Sequence, residues 1–279
     1  MLGSILKNAL ISLNFVLLLF SFSAWAADFN FNNVNEADLK KIIGDFSGNF
    51  VHTSVSGASS LGRVFGFELG LAGGISTTPG LNSLIKEVDP LADDAHLIHG
   101  GIVAQISVPF GLTFEGSVIP SIGNDTMKIT TTNFGLRWTM TDTVFNLPFS
   151  LALKAHTSRT SLRFATVINN SSTANLPVDS TLELASSSNG LAFVVSKELL
   201  IFEPYFGIGM LKSSGEFRIL GAGNIFDSSL TTEQSASAST SGIHFFGGTE
   251  VKLFFLKAGL EYSKMIDVTR VTGKFALSF

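Results

Sequence analysis

Residues 64–72 read VFGFELGLA, and every second position is large and apolar: Phe65, Phe67, Leu69 and Leu71 alternate with Gly66, Glu68, Gly70 and Ala72. A period of two puts one set on each face of a β-strand. One face is greasy and the other is small or charged. The pattern returns in Ile102, Ala104, Ile106 and Val108, in Leu112, Phe114 and Val118, in Phe134, Leu136, Trp138 and Met140, and in Phe149, Leu151 and Leu153. It continues through Leu191, Phe193 and Val195, then Phe206, Ile208 and Met210, then Ile243, Phe245 and Val251, then Leu256, Leu260 and Tyr262, and ends with Val271, Phe275, Leu277 and Phe279. That makes ten strands.

An even count returns the carboxyl terminus to the side where the first strand began, as single-chain bacterial outer-membrane barrels require. The links at 109–111, 141–148, 197–203 and 252–255 are short. Those at 76–97, 157–188 and 213–241 are long, matching short periplasmic turns and longer outer loops. Within the long links, 169–174 and 235–241 are rich in Ser, Thr, Asn and Ala and read as solvated, mobile loops.

Mean hydropathy is +0.38 and only 14% of residues are charged, yet no stretch after Ala27 is long and apolar enough for a spanning helix. A barrel resolves the conflict by distributing its lipid-facing residues as every second residue. A soluble β-sandwich also alternates, but its strands are usually nearer five or six residues, whereas many apolar runs here cover eight or more. Lipid cannot satisfy a free backbone edge, so the sheet must close. The 279 residues include no cysteine, which removes disulfides, thiolate metal sites and cysteine nucleophiles. The net charge of −4, with no run of Lys or Arg, removes nucleic acid as a partner.

The first 26 residues carry the parts of a secretory signal: Lys7, an apolar run over 9–22, and Ala24 and Ala26 around Trp25. Cleavage after Ala26 is expected, and the apolar run is short for the alternative of a retained membrane helix. Residues 35–46 then read as an amphipathic helix with Asn35 as cap and Leu39, Ile42, Ile43 and Phe46 on one face. Residues 52–60 are a Ser/Gly-rich connector. The expected organisation is therefore a signal peptide (1–26), a periplasmic or plug segment (27–60) and an outer-membrane β-barrel (61–279).

Opposite the greasy face stand Glu68, Glu115, Glu250 and Glu261 beside Arg137, Lys154, Lys257 and Lys274, with His156 among them. These are the candidate lumen-lining residues. Their near balance of sign favours internal ion pairing over a strongly selective pore, and ten strands enclose only a narrow interior. Of 26 Phe, two Trp and two Tyr, only Trp138 and Tyr262 read as membrane-interface anchors.

The alternation that ends in Phe275, Leu277 and Phe279 resembles the assembly signal of outer-membrane barrels. That resemblance implies recognition by the barrel-insertion machinery and periplasmic chaperones; Gly273 stands one position off the usual spacing. The sequence of helix, connector and first strand is also similar to uncharacterised bacterial outer-membrane barrels whose mature chain opens with a helix. There the helix lies in the periplasm or plugs the lumen.

His156 and Ser158 share a strand face, a spacing that resembles the His and Ser of outer-membrane phospholipase. Both point inward, away from a lipid substrate, and no Asn or Asp orienter can be assigned. Asp93, Asp94 and His96 are the nearest match to the acidic and His groups of the ten-stranded omptin proteases, at the spacing of an ordinary polar loop. The expectation is no catalytic residue, metal or cofactor. The chain reads as an all-β, antiparallel transmembrane barrel in the bacterial outer membrane, in contact with its lipid. It acts either as a narrow channel or small-solute binding protein of unknown ligand, or as a structural or surface-interaction barrel that presents its outer loops.

Overall fold

The computed structural model describes residues 36–62, 64–123, 127–144, 146–168, 178–221 and 232–279. The expected signal peptide, the expected cap Asn35 and the expected loop 169–174 lie outside them. The described residues form ten antiparallel strands: β1 (Gly66–Thr77), β2 (His96–Val108), β3 (Leu112–Gly123), β4 (Met127–Thr139), β5 (Ser150–Ile168), β6 (Val178–Ser196), β7 (Phe202–Gly221), β8 (Thr232–Leu253), β9 (Leu256–Met265) and β10 (Val268–Ser278). Each strand pairs with its neighbours in the chain, and β1 pairs with β10 to close the barrel. The seam places Leu71 opposite Phe275 and ends in reciprocal backbone bonds of 2.8 Å between Phe67 and Phe279. No edge is left along that seam, which is what hydrocarbon demands of a sheet.

The alternation decides which face is outside. Leu69, Leu71, Ile102, Ile106, Phe114, Phe134, Phe193, Phe206, Ile208, Phe245, Leu260 and Phe275 are all exposed, whereas Glu68, Gln105, Glu115, Arg137, Glu203, Glu250 and Arg270 are buried to 1% exposure or less. A soluble protein reverses this arrangement, so the apolar belt is a surface made for lipid. β1 to β4, β9 and β10 hold 10–13 residues each, the length of a tilted spanning strand. β5 to β8 hold 19–22 and rise beyond the belt as a four-stranded arm. In that arm the outward residues turn polar: Arg159 and Ser161, Ser187 and Asn189, Lys212 and Ser214, Ser239 and Ser241.

Three expectations need correction here. Residues 235–241 belong to β8 and pair with β7 instead of forming a loop, because their serines suit an outer face in water while the small Ala238 fits the buried inner face. A helix, α2 (Pro79–Val88), occupies much of the first long link, opened by Pro at its first position, where a missing amide hydrogen costs nothing. The amino-terminal helix, α1 (Glu36–Phe50), runs a full turn past Phe46. Its extra turn contains Gly48, a poor helix former that this site requires: a Cβ there would lie 2.7 Å from Val268.

The barrel has a terminal end, where β1 begins and β10 stops, and a distal end, where β9 turns into β10. α1 sits at the distal end, with Gly44 beside Ile266 and Ile43 against the wall at Gly215. From Phe50 the chain descends through the lumen as an irregular strap, residues 51–62, and leaves at the terminal end to become β1. The connector thus is the interior of the barrel. Val51, Val55 and Ala58 are almost fully buried, and Gly259 leaves room for Val55 that a Cβ would take, at 2.9 Å.

Replacing Gly48 by Val is expected to lower folding stability by about 1–3 kcal/mol through overpacking against Val268. Gly273→Ala, whose Cβ meets nothing nearer than 3.8 Å, is expected to change it by less than about 0.5 kcal/mol. Urea titration of the detergent-solubilised barrel, read by gel mobility, compares the two.

Candidate functional site: a lumen closed by its own strap

Each strand positions inward side chains at every second residue, and the strap gives them partners. Glu115 (β3) is the first hub. Its carboxylate meets Lys154 Nζ at 2.9 Å and Arg137 Nη1 at 3.3 Å, and accepts from His52 Nε2 on the strap at 2.9 Å. A carboxylate can only accept, so Nε2 carries the hydrogen. Glu68 (β1) is the second: Lys274 Nζ lies at 2.6 Å, Lys257 Nζ at 3.0 Å, and Gln105 Nε2 donates at 2.8 Å. Lys257 also reaches Glu250 at 3.1 Å. Glu261 accepts from Thr53 of the strap at 2.7 Å and from the Tyr205 hydroxyl at 3.1 Å.

The cations that neutralise these acids also hold the strap. Arg270 donates to the Val51 carbonyl at 2.8 Å, Lys154 to Ser54 Oγ at 2.8 Å, Lys274 to Ser56 Oγ at 2.7 Å, and Arg137 to the Gly57 carbonyl at 2.7 Å. Wall hydroxyls accept the strap's amides: His52 donates to Ser158, Ala58 to Ser196 and Leu61 to Ser107, at 2.9–3.0 Å. Near the terminal end Glu203 accepts from Ser59 at 2.6 Å and pairs with Lys252 at 2.6 Å. There is no space for a side chain at Gly57, whose Cβ would fall 2.2 Å from Glu203 Oε1.

Glu68, Glu115, Arg137, Lys154, His156, Glu250, Lys257, Glu261 and Lys274 are therefore all buried on the inner wall, and all but His156 form the network just described. Reading the sequence missed Glu203, assigned to a turn, and Arg270, placed one residue before its strand; strand alternation carried one step further in each case includes both. His52 was missed because its role depends on the strap's path; Tyr205 lies on the inward face of β7 two residues before Gly207, so alternation carried further includes it as well. Five carboxylates (Glu68, Glu115, Glu203, Glu250, Glu261) face five cations (Arg137, Lys154, Lys257, Arg270, Lys274) among the buried wall residues. Buried pairs contribute little net stability, since desolvation offsets attraction; they make any other placement of the strap costly.

His156 and His244 are the exceptions. Their ring nitrogens have no hydrogen-bond partner, and neither do Nε and Nη2 of Arg270. The rings of His52, His156 and His244 follow one another at 6.0 and 6.4 Å. Ser158 accepts from the His52 amide and makes no bond to His156, so the two residues form no nucleophile–base pair. In the distal link Asp94 pairs with Lys86 at 2.5 Å and its carbonyl meets His96 Nδ1 at 3.0 Å; among the described residues no group of His, Asp and Glu could hold a metal ion. Trp138 lies on the outer face near the terminal end and Tyr262 near the distal end, while Phe275, Leu277 and Phe279 point outward from β10.

At the distal end Asp45 of α1 accepts from the Gly80 and Leu81 amides at the start of α2, at 3.1 and 2.6 Å. Burial pushes its carboxyl up from 3.8 to about 6, against the pull of the Leu81 and Gly80 amides and with a small push from Asp267.

Residues 92–272 match a family of unknown function, DUF6588. The chain belongs to the DUF6588 family. The match runs from the distal link into the first half of β10, so α1, the strap and β1 precede it. No curated protein matches this DUF6588 chain. Among solved structures it is similar to Ail of Yersinia pestis in complex with sucrose octasulfate, with 13% identity, 77% of this chain and 97% of that chain covered, and a TM-score of 0.33. It is also similar to the translocator domain of the autotransporter NalP from Neisseria meningitidis (9% identity, 78% and 89% covered, TM-score 0.44). A third is the Ralstonia pickettii toluene transporter TbuX (9% identity, 86% and 98% covered, TM-score 0.30). Likenesses at this level carry no argument about role, and the closed antiparallel barrel rests on the strand pairing of this chain itself.

Two outcomes are expected from this geometry. Glu68→Ala leaves Lys257 and Lys274 buried without their shared carboxylate and is expected to cost about 3–5 kcal/mol; removing the exposed partner of Lys86 with Asp94→Ala is expected to cost less than about 1 kcal/mol. Urea titration measures both. For Asp45 the native state binds its proton more tightly than the unfolded chain, so its contribution is complete below pH 3.8 and is lost as pH rises through about 6. Between pH 4 and pH 7 the urea midpoint is expected to fall more for the native protein than for Asp45→Asn.

Proposed function

We propose that this is an exported bacterial outer-membrane protein whose barrel is stoppered by its own amino-terminal segment, and that it works as a non-conducting surface barrel offering its β5–β8 arm to partners outside the cell. In this reading residues 1–26 are a cleaved signal peptide, 27–60 the plug and 61–279 the barrel. The terminal end faces the periplasm, where the short links lie, and the distal end faces out. Trp138 and Tyr262 mark the two edges of the lipid belt. Phe275, Leu277 and Phe279 are the signal for periplasmic chaperones and the barrel-insertion machinery.

The observation that carries the reading is the strap, held from Val51 to Leu61 by wall side chains at every level of the lumen. A solute path needs displaceable water; here the narrow interior holds protein bonded to protein. A balanced set of buried charges also offers no field to select an ion. What favours the second reading, a narrow channel that opens when the strap moves, is the group of unpartnered polar atoms on His156, His244 and Arg270, because buried polar groups of that kind hold water.

Recording from the purified protein in planar lipid bilayers separates the two. The proposal expects no conductance steps at neutral pH over ±100 mV, a range of about 2.3 kcal/mol per elementary charge in either direction. Regular steps from the native protein would overturn it in favour of the channel.

A further inference from the structure

The direction of the strap has a consequence for the far side of the membrane. Its partners on the wall descend in chain order. Lys41 reaches Glu87 of α2 at 3.6 Å, and Asp45 holds the first amides of α2. Gly48 lies against Val268, Asn49 bonds Ser76, and Val51 accepts from Arg270. Ser56 is bound by Lys274, Ala58 by Ser196, and Ser60 bonds Asp142 in the link between β4 and β5 at the terminal end. Glu36, the first residue of α1, is therefore at the distal mouth, and the chain enters the lumen from that side.

We infer that the barrel carries its own amino-terminal segment through the lumen, so that α1 is displayed at the outer face of the membrane; this rests on the orientation proposed above. The lumen offers no second passage for a returning chain. Between strap and wall, an added Cβ at Gly57 of the strap, or at Gly135 or Gly259 of the wall, would meet Glu203, His52 or Val55 at 2.2–2.9 Å. α1 is built as a cover for the mouth: Leu39, Ile42 and Ile43 are buried below it, and Ala37 and Lys40 are exposed above. α2 pins it there through Asp45 and the Lys41–Glu87 pair. An α-helix about 10 Å across does not fit through a lumen that a single irregular strap already occupies, so the segment must be in place before β1 and β10 join. The activity assigned to the barrel is thus the export and presentation of its own α1.

The chain has no cysteine, which makes single-thiol labelling unambiguous. Three variants of the full-length protein are treated in intact cells with a membrane-impermeant maleimide: Lys40→Cys in α1, Glu87→Cys in α2, and Leu200→Cys in the terminal link between β6 and β7. Leu200 and Glu87 are exposed and report the orientation of the barrel itself. The expected result is labelling at 40 and 87 in intact cells, at least tenfold above labelling at 200, which rises to match them once the outer membrane is permeabilised. An epitope inserted between Val34 and Asn35 is expected to bind antibody on intact cells as strongly as after permeabilisation. Labelling at 87 without labelling at 40, or an epitope hidden in intact cells, overturns the inference and leaves the orientation standing. Labelling at 200 without 87 overturns the orientation, and the inference with it.

Discussion

A closed sheet with a lipid-facing exterior turns every polar side chain of its ten strands toward one narrow space, and those groups must find partners there. In this protein the partner is the chain itself. Charged wall residues that pair only with one another leave hydrogen-bonding capacity over: Lys154, Lys274, Arg137 and Arg270 each hold a carboxylate on one side and a strap oxygen on the other. The strap in turn is poor in bulky residues between Thr53 and Ser60, which lets the backbone approach the wall. Polar satisfaction and narrowness are the same constraint seen from two sides.

Consequences extend to both ends. Because the strap is fixed at Leu61, β1 begins in a set register, and closure against β10 follows from it. Because it is fixed at Val51, α1 is anchored under the distal mouth, where Asp45 ties it to α2. α1 packs against the inner face of the long β5–β8 arm, at Gly215 among other places. The arm's hydroxyl-rich outer surface has no lipid to meet, which is why its composition differs so sharply from that of the belt below.

The barrel was legible because lipid imposes a strict period of two. Each residue placed on the greasy face by alternation, from Phe67 to Leu277, points outward. What the sequence concealed lies where that rule lapses. The upper halves of β5 to β8 carry polar residues on the outer face, and the apolar ones that alternate with them, such as Leu162 and Leu184, are few and face inward, so the greasy-face pattern of the belt does not mark them as strands. The final turn of α1 contains Ser47, Gly48 and Asn49, whose helix propensity is low and which tertiary contact with Val268 and Ser76 overrides. The strap resembles a flexible linker by composition; only the closed wall around it converts small residues into buried ones. Arg270 and Glu203 sat just beyond the apolar stretches that defined their strands, so one of the buried cations and one of the buried acids escaped notice.

Everything above depends on the strap being a fixed part of the interior. Amide hydrogen exchange on the detergent-solubilised protein tests this most directly, because the amides of His52, Ala58 and Leu61 donate to Ser158, Ser196 and Ser107, those of His52 and Ala58 within the buried interior. Peptides covering residues 51–61 are expected to exchange as slowly as those of β1 and β10. Exchange within seconds, at the rate of an open connector, would contradict the account.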